Sequence, residues 1–258
     1  GDAQAVLAGV EPYSAQVLEQ LPKLKCISRC GAGIDSIDSF QAKTQDITVL
    51  TTSDEVTQAV AELTLGMILA LARNFSVHCS NFQAGRWVKQ SGVLLSEWTV
   101  GLLGFGRIGR RVAELLLPLG GIVQVHDPNL KNSDMPEGVT WVELEQLLKT
   151  SDVISLHAGR RKEEGPVLGT NELRKMKPGA RLVNTARGFL VDEASLLVVL
   201  ESGQLTGAAL DVFDEEPNTG PLTRLPQVLC TPHVATLTRA SRTAMELRCA
   251  QNVVAFFQ

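Results

Sequence analysis

Short apolar runs alternate with amphipathic helical patterns along almost the whole chain of 258 residues. Nine of these runs predict strands that are apolar on both faces: 5–8, 26–29, 47–50, 99–103, 122–126, 153–157, 181–185, 208–212 and 228–231. Between them lie helical patterns, among them 55–72, 107–119, 142–149, 193–201 and 240–257. Such strands, separated by helices, form parallel sheets that helices cover. The pattern therefore predicts an α/β fold with a doubly wound parallel sheet.

A glycine-rich turn lies between a predicted strand and a predicted helix. Gly104, Gly106 and Gly109 have the GxGxxG spacing. The first glycine permits a tight turn, the second lets the backbone approach a pyrophosphate, and the third lets helix and strand pack closely. The amide groups of Arg107 and Ile108, at the start of the helix, then face the phosphates. In this context the motif predicts a Rossmann domain that binds a dinucleotide.

The strand after this helix ends at Asp127. A carboxylate at this position accepts hydrogen bonds from an adenosine ribose and repels a 2′-phosphate, which favours NAD over NADP. The alternative is a solvated aspartate that opens the turn 127–129. Position and chemistry together favour the ribose role.

Charge and cysteine content exclude several classes of function. Lys and Arg total 24 and Asp and Glu total 28, for a formal net charge of −4. A mildly acidic chain without a basic block does not favour nucleic acid or an anionic membrane. No run approaches the roughly 18 apolar residues of a membrane span. Five cysteines without zinc-type spacing predict reduced thiols, a cytoplasmic protein and no metal site.

Three charged residues, each after a predicted strand, form a candidate catalytic set. The guanidinium of Arg187 can grip a planar carboxylate. The imidazole of His233 can donate a proton, and Glu216 can bond the other ring nitrogen and favour the protonated ring. Taken singly, Arg187 could instead be a solvated arginine in a turn, His233 a core histidine and Glu216 part of an acidic loop. Their order and spacing argue against coincidence and predict reduction of a 2-keto acid.

These motifs resemble those of the D-isomer-specific 2-hydroxyacid dehydrogenases. The resemblance covers essentially the whole chain and includes RCGAGIDSID at 29–38 and AVAELTLGMILALAR at 59–73. It implies that Arg187, Glu216 and His233 form a catalytic triad and that the cofactor is NAD. The chain looks most like the 3-phosphoglycerate dehydrogenase branch, although glyoxylate and hydroxypyruvate reductases share nearly all these motifs.

The resemblance also implies roles for further residues. Asp211 would bind the nicotinamide carboxamide, and backbone amides near Ala32 and Gly33 would hold the substrate carboxylate. Arg29 is either a contact for the substrate anion or part of a salt bridge at a strand end. His157 is expected to position backbone near the cofactor. The predicted cofactor-binding set also includes Thr185, Ala186 and Ala235.

Two domains are implied as well. Residues 74–234 would form the NAD-binding Rossmann domain, and residues 1–73 with 235–258 a smaller, flavodoxin-like substrate domain, with the active site in the cleft between them. Relative to the family, an N-terminal segment and the tail after the last helix are absent, so a truncated substrate domain is expected. A family member would be a homodimer joined through its nucleotide domains, with Phe82 and Trp87 at a subunit or domain contact.

One loop departs from the family pattern. Gly159 and the charge run 160–164 stand where relatives usually have a proline and a threonine-rich turn. Because this loop would border the cofactor, the affinity for the cofactor or the order of the loop is expected to differ from that in relatives. A second class of function stays open: transcriptional corepressors of this superfamily keep the fold and the triad but act by binding partners.

Overall fold

The computed structural model describes residues 2–159 and 162–258, so that Arg160 and Arg161 of the charge run lie outside the described residues. The chain forms two compact units, Gly1–Ala59 with Thr236–Gln258 and Val60–Ala235. The division falls inside a long helix, Ser53–Ala72, whereas the sequence analysis placed it at residue 73, where that helix has ended. The reason is that the second half of the helix contributes Met67 and Ile68 to the core of the second unit.

The first unit has a three-stranded parallel sheet. Its strands, in the spatial order β1-β2-β3, are β1 (Ala5–Ala8), β2 (Cys26–Arg29) and β3 (Thr48–Thr51). Its helices are α1 (Ala15–Glu19), α2 (Ser39–Thr44), the start of α3 (Ser53–Ala72) and the C-terminal helix (Arg239–Phe256). The C-terminal helix packs on the sheet, where Cys249 Sγ contacts the Ser28 carbonyl at 3.1 Å and Asn252 Nδ2 donates to Ser28 Oγ at 3.3 Å.

The second unit has a seven-stranded parallel sheet. The strands are β4 (Thr99–Leu103), β5 (Ile122–His126), β6 (Val139–Trp141), β7 (Val153–Leu156), β8 (Arg181–Asn184), β9 (Gly207–Leu210) and β10 (Val228–Cys230). Their spatial order is β10-β9-β8-β7-β4-β5-β6, so the direction of winding reverses between β4 and β7. The predicted doubly wound sheet is confirmed. Ligands of such sheets bind outside the carboxyl ends of the strands, near the point of reversal.

Helices and apolar side chains cover both faces of this sheet. The helices after α3 are α4 (Phe75–Gln83), α5 (Arg107–Leu116), α6 (Leu144–Thr150), α7 (Thr170–Lys175) and α8 (Glu193–Glu201). One buried cluster includes Val112 and Leu116 of α5, and a second includes Leu147, Leu173 and Leu196 of α6, α7 and α8. Two covered faces explain why the strand sequences are apolar throughout rather than alternating.

Helix α3 is long and apolar enough to cross a membrane by length and composition alone. Asp54, Glu55 and Glu62 lie within this helix, so it holds no uninterrupted apolar run of roughly 18 residues. Half of its most apolar window is buried inside the protein. Ala61 and Ile68 are fully buried in the core of the second unit. A core helix passes the same test of hydropathy, and these contacts account for the composition of α3.

All nine predicted strands are present, with bounds that differ by two residues at most. The three-residue edge strand β6 and the helices α1, α2, α4 and α7 were not among the named predictions. Helix α4 begins directly after Asn74, whose φ of 52° places it in the left-handed region. Arg73 and Asn74 separate α3 from α4, and the sequence pattern does not reveal the conformation of Asn74.

Candidate active site

The glycine-rich loop has the geometry that its spacing predicts. Gly104 has a φ of 96°, and a Cβ atom on it would lie 2.6 Å from the Ala158 nitrogen. A Cβ atom on Gly109 would lie 2.4 Å from the Gly104 carbonyl oxygen, so the start of α5 can approach β4 only without a side chain there. A Cβ atom on Gly106 would meet no atom within 4 Å. The loop is therefore closed toward the protein and open on the side of Gly106.

Asp127 connects the end of β5 to this loop. Its Oδ2 accepts a hydrogen bond from the Phe105 amide at 2.9 Å, and its Oδ1 accepts one from the Asn129 amide at 3.0 Å. The carbonyl of Asp127 accepts a bond from Trp141 Nε1 at 3.3 Å. A carboxylate offers about four acceptor sites, so Asp127 opens the turn and retains capacity for ribose hydroxyls. The two interpretations from the sequence are thus compatible.

These features fit a dinucleotide. Gly106 precedes the ten-residue helix α5 without a side-chain cap, and the first turn of a helix presents unpaired amide groups and the positive end of its dipole. Arg107 is exposed and Ile108 is half-buried at this helix start. The open face of the loop, the helix start and the Asp127 carboxylate lie on consecutive elements, β4, α5 and β5.

His157 follows β7 at the carboxyl edge of the sheet. Its amide donates to the Leu103 carbonyl at 2.7 Å, and its Nε2 lies 2.9 Å from Ser155 Oγ. Burial lowers the pKa of His157 from 6.5 to about 4, since a charged ring would lose its hydration. The ring is therefore neutral at physiological pH, and the backbone of His157 lies against Gly104.

Arg187 lies in a turn that follows β8, and the turn is held by a buried side chain. Asn184 is 1% exposed; its Nδ2 donates to the Arg187 carbonyl at 2.8 Å and its Oδ1 accepts from the Ala186 amide at 3.0 Å. Thr185 pairs its hydroxyl with that of Thr64 at 2.7 Å. The half-buried guanidinium of Arg187 donates to the Ala186 carbonyl at 2.6 Å.

Glu216 and His233 are brought together as the sequence predicts. His233 Nδ1 lies 2.8 Å from Glu216 Oε2, and the other carboxylate oxygen accepts from the Phe213 amide at 3.0 Å. His233 has a φ of 53°, a left-handed conformation that costs a non-glycine residue energy. Its side chain is 48% exposed. The pairing through Nδ1 directs Nε2 to the opposite side of the ring, where a proton can be transferred to a ligand.

Asp211 holds the loop that carries His233. It is fully buried; its Oδ1 accepts from Thr231 Oγ1 at 2.6 Å and from the Val234 amide at 2.8 Å, and its Oδ2 accepts from the Ala235 amide at 3.0 Å. The Asp211 carbonyl also accepts from the His233 amide at 2.8 Å. Its predicted bond to the nicotinamide carboxamide would use the remaining acceptor capacity, and that role stays a prediction.

The turn that carries Arg187 and the side chain of Glu216 both contact the backbone of Phe213. A Cβ atom on Gly188 would lie 1.8 Å from the carbonyl carbon of Phe213, so only glycine permits this contact. The amide of the same Phe213 bonds Glu216. The three proposed catalytic residues therefore depend on one contiguous set of backbone contacts at the ends of β8, β9 and β10.

The predicted substrate-binding residues Arg29, Ala32 and Gly33 lie in the first unit, at the end of β2 and in the loop after it. The guanidinium of Arg29 donates to the Cys30 carbonyl. The loop begins at Gly31, whose amide donates to the buried Thr52 hydroxyl at 2.8 Å while its carbonyl accepts from the Thr52 amide at 3.0 Å. Ala32 is exposed and Gly33 is half-buried, so their backbone is accessible.

Asn184, Gly188 and Thr231 were not identified from the sequence. Asn184 had a usable signal, because a buried amide at the end of an apolar strand requires several hydrogen-bond partners. Gly188 and Thr231 had none, since their contacts are with segments distant along the chain. Among the described residues, no group of three His, Cys, Asp or Glu side chains is arranged to hold a metal ion.

Comparison with known proteins identifies similar sequences. The model of the "D-isomer specific 2-hydroxyacid dehydrogenase, NAD binding domain" family matches residues 65–235. A hydroxypyruvate reductase from Thermotoga maritima is 35% identical over 96% of this chain and 82% of its own. A glyoxylate reductase from Aeropyrum pernix is 38% identical over 94% of this chain and 76% of its own. A D-3-phosphoglycerate dehydrogenase from Archaeoglobus fulgidus is 35% identical, over 93% and 46%.

Solved structures have the same fold. The crystal structure of a glyoxylate reductase from Paecilomyes thermophila superimposes with a TM-score of 0.92 at 31% identity, over 98% of this chain and 80% of that one. A D-lactate dehydrogenase from Aquifex aeolicus, crystallised with NAD and lactic acid, has a TM-score of 0.90 at 30% identity, over 99% and 83%.

Proposed function

Since the chain belongs to the D-isomer-specific 2-hydroxyacid dehydrogenase family and is thus an NAD-dependent oxidoreductase, we propose that it reduces a small 2-keto acid with Arg187, Glu216 and His233 as its catalytic residues. The single observation that carries this assignment is the 2.8 Å contact between Glu216 Oε2 and His233 Nδ1. It orients an exposed imidazole whose Nε2 is available as a proton donor.

Each residue has a separate task in the proposed reaction. Arg187 binds the carboxylate of the keto acid and polarises its carbonyl, because a guanidinium donates two parallel hydrogen bonds to a planar anion. His233 donates a proton from Nε2 to the carbonyl oxygen as negative charge develops there. Glu216 keeps the ring in the tautomer that carries a proton on Nδ1 and stabilises the imidazolium form. Bound NADH supplies the hydride.

The cofactor would be held by residues of the second unit. The amides at Gly106, Arg107 and Ile108 would face the pyrophosphate, and Asp127 would accept from the ribose hydroxyls. We place Gly104, Gly109, His157, Thr185, Ala186, Asp211 and Ala235 in the remainder of the cofactor-binding set. The backbone amides at Ala32 and Gly33 would bind the substrate carboxylate, and Arg29 would be a second cation in addition to Arg187.

Among substrates we favour glyoxylate or hydroxypyruvate over the oxidised product of 3-phosphoglycerate. The relatives named above include a hydroxypyruvate reductase and a glyoxylate reductase that match across most of their own length. The motifs of this chain look most like those of the phosphoglycerate branch, but the reductases share nearly all of these motifs. The phosphoglycerate dehydrogenase relative supports that branch less strongly, because the match spans about half of its length.

A panel of 2-keto acids assayed with NADH and with NADPH tests the proposal. We expect turnover of glyoxylate and hydroxypyruvate with NADH, and weaker turnover of pyruvate and of 3-phosphohydroxypyruvate. A preference for 3-phosphohydroxypyruvate would return the assignment to the phosphoglycerate branch. Tight binding of NADH without reduction of any keto acid would favour the corepressor-like scaffold instead.

We also propose that Val60–Ala235 is the NAD-binding domain, and that the other unit is the substrate domain. The match of the NAD-binding family model to residues 65–235 supports this division. A cytoplasmic location is a further proposal. It is supported by the five cysteines, all of which are unpaired, as expected in a reducing compartment.

The homodimer is proposed on the exposed apolar surface of helix α4. None of the nine residues of α4 is buried. Phe75 is 57% exposed and Phe82 68%, and Trp87, which follows the helix, is 79% exposed with its ring 6.0 Å from that of Phe82. A helix of this length is not stable in water without packing. A second copy of the chain would cover this aromatic surface.

A further inference from the structure

The buried amide of Asn184 carries an inference about substrate binding that rests on the proposed function. Asn184 is the last residue of β8 and is 1% exposed. Its side chain makes two hydrogen bonds, both to the turn that carries Arg187, and its own carbonyl accepts from the Asp211 amide at 2.9 Å. The Asn184 side chain therefore bonds the peptide group before the Ala186–Arg187 peptide bond and the peptide group after it.

We propose that Asn184 is a positioning residue that fixes the direction of the Arg187 guanidinium. The donation from Nδ2 to the Arg187 carbonyl restricts the Arg187–Gly188 peptide plane, and the acceptance by Oδ1 from the Ala186 amide restricts the Thr185–Ala186 peptide plane. The Arg187 carbonyl also accepts from the Leu190 amide at 3.2 Å, which begins the short helical turn Gly188–Leu190. The Cα–Cβ direction of Arg187 follows from these constraints.

Other contacts of the turn do not replace this one. The Thr185 hydroxyl is paired with Thr64, and Gly188 is packed against the Phe213 peptide, so the turn is held at both ends. Between those two points, the Ala186 carbonyl accepts from the Arg187 guanidinium itself, and the described hydrogen bonds that other residues make to the backbone of Ala186 and Arg187 include those of Asn184 and Leu190. An arginine that binds a carboxylate with two parallel bonds depends on such a fixed direction more than a flexible cation would.

Two variants separate the two hydrogen bonds. Asn184→Ala removes both, and Asn184→Asp keeps the acceptor for the Ala186 amide but loses the donor to the Arg187 carbonyl. Amide hydrogen exchange of residues 185–188 should rise about tenfold in Asn184→Ala, because a buried hydrogen bond contributes about one factor of ten to local protection. Ser151→Ala is the matched control. Ser151 is a fully buried polar residue at the opposite end of the sheet, before β7, and its loss should leave this exchange unchanged.

Kinetics distinguish positioning from a general structural role. Both Asn184 variants should raise the KM for the keto acid and lower kcat/KM about tenfold or more, with a smaller change in the dissociation constant of NADH, to which Thr185 and Ala186 of the same turn are assigned. In an Arg187→Ala background the same changes should have almost no effect on kcat/KM, because no guanidinium remains to be positioned. Equal losses in both backgrounds would overturn the proposal.

The exchange measurement keeps this inference separate from the proposed function. If the unmutated protein reduces no keto acid, the proposed function fails, and exchange still decides whether Asn184 holds the turn. Unchanged exchange at 185–188 in Asn184→Ala overturns the positioning role even if the enzyme is active. Should Asn184→Ala fail to fold, Asn184→Asp, which has the same shape and loses only the donation to the Arg187 carbonyl, still provides the kinetic test in both backgrounds.

Discussion

His233 combines an unfavourable backbone conformation with an oriented side chain. Its φ of 53° and its contact with Glu216 place an exposed imidazole at the end of β10. His233→Ala should lower kcat about 10²–10⁴-fold, as is typical for loss of a general acid. Glu216→Gln keeps the shape but removes a charge-assisted bond, so a decrease of about 10–100-fold is expected. NADH binding, measured by fluorescence, should survive both changes. Turnover by His233→Ala at the unmutated rate would exclude the mechanism.

Asp127 has two tasks that different substitutions separate. Asp127→Ala removes the acceptor for the Phe105 amide together with the proposed ribose contact, so NADH affinity should fall about 10–100-fold. Asp127→Asn retains an oxygen for Phe105 and removes the charge that repels a 2′-phosphate. It should narrow the preference for NADH by improving kcat/KM with NADPH. Equal kcat/KM values for the two cofactors in the unmutated protein would contradict the ribose assignment.

His157 links the stability of the glycine-rich loop to pH. Its pKa is about 4 in the folded protein and 6.5 as the ordinary value, so the unfolded chain binds the proton more readily between these values. The free energy of unfolding should therefore fall as pH decreases from 6.5 to 4, by up to about 3 kcal/mol from this group. His157→Gln should remove this part of the pH dependence in urea titrations. Ser155→Ala, which loses the ring's hydrogen-bond partner but keeps the ring, should retain it.

Among the elements, the turn after β8 has the least tolerance for change. Gly188→Ala places a Cβ atom 1.8 Å from the carbonyl carbon of Phe213 and must displace that segment. Because Phe213 bonds Glu216, we expect kcat/KM for the keto acid to fall at least about 100-fold, with an unfolding free energy lower by about 1–3 kcal/mol.

Gly66→Ala in α3 is the control for this substitution, since its Cβ atom meets nothing within 4 Å. It should leave kcat/KM unchanged and stabilise the helix by up to about 1 kcal/mol. If Gly188→Ala behaved like Gly66→Ala in steady-state kinetics and thermal unfolding, the proposed coupling between the Arg187 turn and Glu216 would be absent.

For the whole molecule, the exposed surface of α4 predicts the oligomeric state. Light scattering after gel filtration should give the mass of a dimer, and Trp87→Asp combined with Phe82→Asp should shift it to the mass of a monomer. Phe40→Asp is a matched control, because Phe40 is 81% exposed but lies in the first unit. A monomeric unmutated protein, or a dimer that persists in the α4 variant, would show that this surface is not the dimer contact.

The strands, the glycine-rich loop and the candidate catalytic residues were predictable because each depends on a local pattern. Strands such as β4 are apolar along their length because both of their faces are covered. The glycine spacing is recognisable because Gly104 and Gly109 meet each other's backbone within a single turn. Glu216 and His233 were singled out because proton transfer requires particular side chains, and their catalytic role stays a prediction.

What only the tertiary structure revealed depends on contacts between segments far apart in the chain. Asp211 is a buried polar residue after β9 whose side-chain partners Thr231, Val234 and Ala235 follow β10, and no periodic pattern encodes such bonds. The close approach of Gly188 to Phe213 arises only when β8 and β9 pair. The exposure of α4 follows from the absence of neighbouring packing rather than from its composition. Local sequence specifies which groups are present, and packing between distant segments determines where those groups are held.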